Sequence, residues 1–532
     1  MVVQPQTVAS KAPAGRGSRV GPQSLSDSKM TTKFHRVDDG ATSTATFWQT
    51  IRLFLTGICC CAGSFNFGWS ISLINPLADV LQSFLQRSLE RHLGFKLTSW
   101  NLNLLWPTVA GLVFVGSFLG ALLTPRAIKL CGLNGTFVLS STFICVSLLM
   151  AAISEPTFSA ELFIFHRLLI GIGVGLATPV QSIYLSEISP IRYRGSMGTL
   201  TGFATSIGYV AASGIGLPTL LGKPYLWRWA YIIETVPSLI QMISLACFLR
   251  QTPIRLLKAG YEKEALQSLQ LFHTKTDALN QLEILEREVN STKNQNDDDS
   301  FASLWRESRS ALIICVLLNC TVSFSGILAA GFFGTLLLHN IGFSHTAAAY
   351  ANFLASFSGL AGNFIGTFTV DKIGRRVLII GCLLFLAFLN CALMILVFVF
   401  EYTEDVRTGY AFLVIFIIFL FVFSVGVGPL AWMLPSELST LQYRARLQSI
   451  SVSCQYFTCF LSSLIFLPLY RQVGSLSFLI FIVPLGLCSL FLFMQLPESK
   501  NRSINEIVDD LQRRSLLNQK ATRVMNNNNQ EA

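Results

Sequence analysis

Apolar residues run along this chain in long stretches broken by short polar turns, and twelve stretches are long enough to cross the ~30 Å hydrocarbon core of a bilayer as helices. The predicted spans are 48–76, 102–124, 134–154, 162–185, 196–217, 226–249, 310–338, 346–369, 377–400, 409–435, 446–470 and 476–496. Runs of this length satisfy their own backbone groups as helices, and none alternates as a barrel strand does. Polar sequence flanks and divides them. Residues 1–46 are rich in Ser, Thr, Gly and Pro, lack the compact apolar core of a signal peptide, and read as a disordered tail. Polarity returns over 250–309. There Thr252-Pro253 starts a helix, Gly260 breaks one, and Leu266, Leu269, Leu279, Leu282 and Leu285 recur among charges, the pattern of short amphipathic helices. After the last span, Ser503-Ile504-Asn505-Glu506 has the form of a capping box that opens another helix.

The pattern also contains one word twice. Glu187 precedes Arg194 by seven residues, and Glu437 precedes Arg444 by seven, each pair closing an apolar stretch. A repeat of this kind marks two similar membrane halves. The expected fold class is therefore an all-α integral membrane protein, with twelve transmembrane helices in two six-helix pseudo-symmetric halves. The halves are 47–249 and 310–498; 250–309 is a linker of short amphipathic helices, and 499–532 is a terminal helix and tail.

Composition agrees: 52% of residues are hydrophobic and 13% charged, against about 25% charged in a soluble domain. The net charge of +10 comes from Lys and Arg scattered through short turns, which excludes a nucleic-acid surface and serves as a topology signal. The basic residues place both termini and the linker in the cytosol. Six histidines at no metal-binding spacing, and no nucleophile or phosphate-loop motif, argue against an enzyme, a metal site or a cofactor.

Further motifs carry a resemblance. Gly68-Trp69 and Ile74-Asn75-Pro76 stand in span 1, Arg167-Leu168-Leu169-Ile170-Gly171 in span 4 and Asp371-Lys372-Ile373-Gly374-Arg375-Arg376 after span 8. Gly426-Val427-Gly428-Pro429-Leu430-Ala431-Trp432 lies in span 10, and Pro497-Glu498-Ser499 after span 12. In this order, residues 48–515 resemble the facilitative hexose transporters of the major facilitator superfamily. The resemblance implies transmembrane transport of a small polar solute, with the bilayer as surroundings, a monomeric functional unit and the plasma membrane as location.

It also implies two sites. At the cytosolic end, Glu187, Asp371 and Glu437 with Arg194, Lys372, Arg375, Arg376, Arg444 and Arg446 form an inner gate, a latch made in one state and broken in another. Gly132-Leu133-Asn134 stands where the family has a basic pair, so the latch is half weakened and a shift toward the inward-open state is expected. Gly426, Gly428, Pro429 and Pro435 supply a bendable span 10. The substrate cavity is expected at Ser70, Thr201, Thr205, Ser206, Tyr209, Ser323, Phe332, Phe333, Asn363, Trp432, Gln455 and Tyr456. Many family sugar contacts are replaced there: Gly202, Val322 and Ser323 stand for glutamines, Leu328 and Gly359 for asparagines, and Ser424 for a glutamate. Proton-driven relatives carry an acid at the position of Ser70. With the other N-terminal spans read as free of mid-membrane Asp and Glu, passive uniport is expected. A non-transporting receptor that keeps the fold, and a proton-coupled symporter, are the alternatives.

Overall fold

The structure, a computed structural model, describes residues 47–94, 99–247, 251–294, 301–403, 405–500, 502, 506–511 and 513. The tail expected over 1–46 and residues 503–505 of the capping box lie outside them. Among the described residues all regular structure is helical, and the chain makes twelve crossings. Span 1 is Phe47–Cys60 and Ala62–Ser72, bent by 47°. Spans 2 and 3 share Ser99–Ser154, which leaves helical geometry at Gly132 (φ 74°, ψ 179°). A Cβ there would be strained, so this glycine separates the two spans. Spans 4, 5 and 6 are Ala160–Ile188, Arg194–Ile215 and Trp227–Cys247. Span 7 is Phe301–Ser323 and Ile327–Asn340, parted by Gly326 at φ 94°. Spans 8 and 9 are His345–Ile373 and Arg375–Thr403. Span 10 is Val406–Val425 and Val427–Glu437, and spans 11 and 12 are Arg444–Val473 and Leu479–Gln495.

Lipid offers no hydrophobic drive between helices, so close backbone contact holds them. Spans 2 and 4 meet along four glycines. A Cβ on Gly116 would stand 2.0 Å from the Leu168 carbonyl oxygen, and one on Gly171 2.2 Å from that of Val113; Gly120 and Gly175 are equally tight. These glycines are the close-packing faces that the sequence suggests. Span 5 packs likewise on span 1, where a Cβ on Gly68 would lie 2.0 Å from the Thr205 oxygen. Its wealth of Gly, Ser and Thr is why span 5 does not pass as a membrane helix on apolarity alone.

Two features outside the membrane bear on the site. Ala78–Leu93, a polar stretch between spans 1 and 2, is a helix closed by Gly94 at φ 73°. It is tied down by Ser88, whose hydroxyl donates to the Phe158 carbonyl (2.7 Å) and accepts from the Ala160 N–H (2.8 Å). On the opposite face, the linker folds as Pro253–Lys258, Glu262–Gln270 and Lys275–Asn294. These helices share a small core of Ile254, Leu257, Ala265, Leu269, Ala278 and Leu282, and Leu441, between spans 10 and 11, packs on it.

Candidate functional site

A cavity of about 130 Å³ lies where spans 1, 5, 7, 8, 10 and 11 converge. Thr205, Ser206, Tyr209, Asn363, Trp432 and Gln455 line it, as do Val322, Leu328, Gly202, Gly359 and Ser424 at the replaced sugar-contact positions. Trp432 is fixed on three sides. Its Nε1 donates to Gln455 Oε1 at 2.7 Å, its carbonyl accepts from Gln448 Nε2 at 2.7 Å, and its ring meets Phe67 at 5.7 Å and 63°. Asn363 Nδ2 donates to Ser206 Oγ at 2.6 Å, which joins span 8 to span 5 across the cavity, and Asn363 Oδ1 is buried without a partner.

Four expected cavity residues stand elsewhere. Tyr456 is fully buried behind the wall, its hydroxyl paired with Thr178 at 2.8 Å. Thr201 bonds to the Gly198 carbonyl of its own helix (2.9 Å), the usual fate of a mid-helix hydroxyl. Ser323 pairs with Gln455 O and Thr458. Ser70 donates to Glu234. Phe332 and Phe333 belong to the second half of span 7, with side chains outside the described set. Span 10 does break, at Gly426 (φ −132°, ψ −70°), and Gly428 and Pro429 lie on the cavity wall just beyond, with Pro435 farther down the helix.

The bond from Ser70 corrects a further expectation. Glu234 is a fully buried acid within span 6, so the N-terminal half does hold a membrane carboxylate. Its Oε1 accepts from Ser70 Oγ at 2.8 Å, while its Oε2 has no partner. Beside it, fully buried Arg167 donates to the Ser70 and Ala110 carbonyls at 3.1 and 3.0 Å. Its neighbours Tyr231, Ile232, Ile233 and Val236 are apolar enough that an average over the span passes over this acid.

On the linker face, residues of the two halves meet. Asp371 Oδ2 accepts from the Ser196 N–H (2.9 Å) and hydroxyl (2.6 Å). Arg375 Nη2 lies 3.2 Å from Asp371 Oδ1 and 3.4 Å from Glu437 Oε1, and Ser499 Oγ donates to Glu437 Oε2 at 2.8 Å. Glu498 accepts from the Arg375 and Arg376 N–H groups at 2.9 and 3.1 Å. An acid at the start of span 9 is well placed against the helix dipole. Arg376 Nη2 donates to the Phe493 carbonyl at 2.6 Å, Lys500 Nζ to that of Lys372, and Arg446 stands half-buried at the start of span 11. Among the described residues no ion pair within 4.0 Å joins Glu187 to Arg194 or Glu437 to Arg444. The repeated word acts crosswise instead: Glu187 feels the charge of Arg444, and Arg194 that of Glu437. Ser196 carries no sequence signal, and the gate roles of Glu498 and Ser499 show in the sequence only as an acid just beyond the last apolar run.

The weakened turn between spans 2 and 3 has a replacement partner. Arg255 of the linker donates from Nη1 to the Cys131 carbonyl at 3.0 Å, and it occupies the space where a Gly132 Cβ would stand. Although an inward-open shift is expected, the linker face is joined in this structure by the Ser196–Asp371 contact.

The facilitated glucose transporter member 7 of solute carrier family 2 from Mus musculus is 26% identical over 462 residues, covering 86% of this chain and 89% of the relative. The sugar transport protein MST4 of Oryza sativa subsp. japonica is 27% identical over 380 residues, 70% of this chain and 72% of that one. Among solved structures, the proton:xylose symporter XylE bound to 6-bromo-6-deoxy-D-glucose superposes with a TM-score of 0.75 at 20% identity. That likeness covers 87% of this chain and 100% of the symporter. The family described as "Sugar (and other) transporter" matches residues 56–511. With the pseudo-symmetric helices around one central cavity, this match shows that the chain is a membrane protein of the sugar (and other) transporter family with the major facilitator fold.

Proposed function

We propose that this protein is a uniporter that moves a sugar or sugar-like small polar solute across the membrane by alternating access. The observation that carries the reading is a cavity with contacts between the halves on both sides. Toward the linker face, Ser196 holds Asp371. Toward the other face, Asn75 Nδ2 donates to the Gly331 carbonyl at 3.2 Å, and the hydroxyls of Thr219 and Tyr350 lie 3.0 Å apart. A carrier must break one set while keeping the other, and both sets are small enough to do so: single hydrogen bonds contribute about 0.5–1.5 kcal/mol each, and about 1.5–3 kcal/mol to a charged group. The linker face is taken as cytosolic, a reading the Lys and Arg distribution supports, and the plasma membrane is the proposed location. Trp432 is the floor on which a ring would rest, and its bond to Gln455 fixes the angle of that floor.

Glu234 favours one second reading, a proton-coupled symporter in which this acid serves in place of the one absent at Ser70. Labelled glucose, fructose, inositol, dehydroascorbate and urate, offered to cells expressing the full chain, decide between the readings. Uniport predicts saturable uptake of one compound that stops at equilibrium and falls with Trp432→Ala. Accumulation against a gradient under an inward proton gradient would select symport instead. A surface-expressed protein that moves none of these compounds and no deoxy sugar would contradict both.

A further inference from the structure

The wall of the cavity is poor in groups that can meet a guest. Phe67, Ile71, Val322, Leu328, Leu420 and Phe423 present hydrocarbon to it, and among the described residues no charged side chain lines it. Several lining donors are committed within the protein. Trp432 donates to Gln455, Thr205 to the Thr201 carbonyl and Ser356 to the Phe353 carbonyl. Gly202 tightens the wall further: a Cβ there would lie 2.7 Å from Pro429 and 2.8 Å from Asn363 Oδ1, so spans 8 and 10 fill the room that a long polar side chain on span 5 would need. What remains for a guest is the Tyr209 hydroxyl, the amide nitrogen of Gln455, the hydroxyls of Ser206 and Ser424, the acceptor side of the Thr205 and Ser356 oxygens, and the unpartnered Asn363 oxygen once it turns inward.

A hexose carries five hydroxyls, each both donor and acceptor, and every one buried without a partner weakens binding by about tenfold. Resting on the carrier reading above, we propose that the cavity selects neutral, ring-sized solutes of low hydroxyl count, such as deoxygenated sugar rings, over fully hydroxylated hexoses. An ionic solute is disfavoured by the same wall, because a buried charge needs a paired opposite charge.

The test uses the full chain in lipid nanodiscs with tritiated 6-deoxy-D-glucose as tracer, competed by D-glucose, 6-deoxy-D-glucose and 2,6-dideoxy-D-glucose. The expected order is dideoxy over deoxy over glucose, with at least a tenfold gap between the ends. Val322→Gln, which returns a polar group to the apolar wall, narrows that gap by about threefold or more, and Leu328→Asn is a second variant should the first not fold. Glucose binding as tightly as the dideoxy sugar, or a gap that neither folded variant changes, overturns the selectivity proposal and leaves the carrier standing. No saturable binding of any of the three sugars overturns the carrier reading along with it.

Discussion

Ser196 on span 5 donates both its N–H and its hydroxyl to one oxygen of Asp371 on span 8, at 2.9 and 2.6 Å. The half that bears the serine and the half that bears the acid are thereby joined on the linker face, with Arg375 on the other carboxylate oxygen and with Thr367 of span 8 within hydrogen-bond reach of Ser196 and Thr199. Charge-assisted bonds of this kind are the strong ones, yet the site is partly open to water, which keeps the joint breakable.

Asp371→Asn should weaken both serine bonds and leave Arg375 with Glu437 alone. A loss of about 2 kcal/mol from the joined state would change the ratio of states about thirtyfold. Spin labels at exposed Arg192 and Ile373 would report it as growth of a longer distance. An unchanged distance distribution would mean that the Ser196–Asp371 contact does not hold the gate.

The Arg255–Cys131 contact makes a different forecast. Gly132 sits at φ 74°, and a Cβ on it would lie 1.0 Å from Arg255 Nη1. Gly132→Ala should therefore cost more than Arg255→Ala: about 1–3 kcal/mol from strain and the displaced arginine, against about 1 kcal/mol for one lost helix-end bond. Melting temperatures of the two variants in one detergent provide the comparison, and the opposite ranking would contradict the geometry.

Much of this was legible in the chain, for physical reasons. Long apolar runs can only be helices in lipid, so the twelve spans and the two halves follow from pattern. The glycines facing Leu168 and Val113 follow from the need for close approach. Other features could not be read. A polar amphipathic stretch such as Ala78–Leu93 looks like a loop until Ser88 is seen to hold it. The crosswise partners of Glu187 and Glu437 depend on how the halves meet, which spacing within one half does not contain. Thr201, Ser323 and Tyr456 fall on the same helices as true lining residues and differ from them by a rotation of the helix. Glu234 was within reach of the sequence, but an average over its apolar neighbours conceals one acid.

His273 gives the linker a pH dependence. It lies buried after Glu262–Gln270, with Nδ1 3.2 Å from the Leu269 carbonyl. Burial pushes its pKa below the ordinary histidine value, and the bond to Leu269 and the charge of Asp277 offset this only in part. The folded linker thus binds fewer protons than the unfolded one. Its contribution is complete above the unfolded value of about 6.5 and is lost as pH falls through the lower folded value. Hydrogen exchange over 251–294, corrected for intrinsic rates, should rise between about pH 7 and pH 5, and His273→Gln should flatten the rise. A rise that persists in the variant would assign it to another group.

Glu234→Gln keeps the shape of the acid and its acceptor for Ser70 while removing its titration. Uniport predicts that the variant retains exchange of solute within about threefold of the parent and the same pH profile. Loss of accumulation with retained exchange would identify Glu234 as the coupling acid.

Solute counterflow tests alternating access most directly. Proteoliposomes containing the full chain are loaded with an unlabelled solute that the protein takes up, then diluted into a trace of the labelled form at equal pH on both sides. A carrier predicts a transient overshoot of label inside, abolished by Trp432→Ala, because unlabelled solute inside occupies the inward-facing sites and holds back the exit of label. A simple rise to equilibrium without overshoot would contradict the cycle, and with it the reading of this cavity as a transport site.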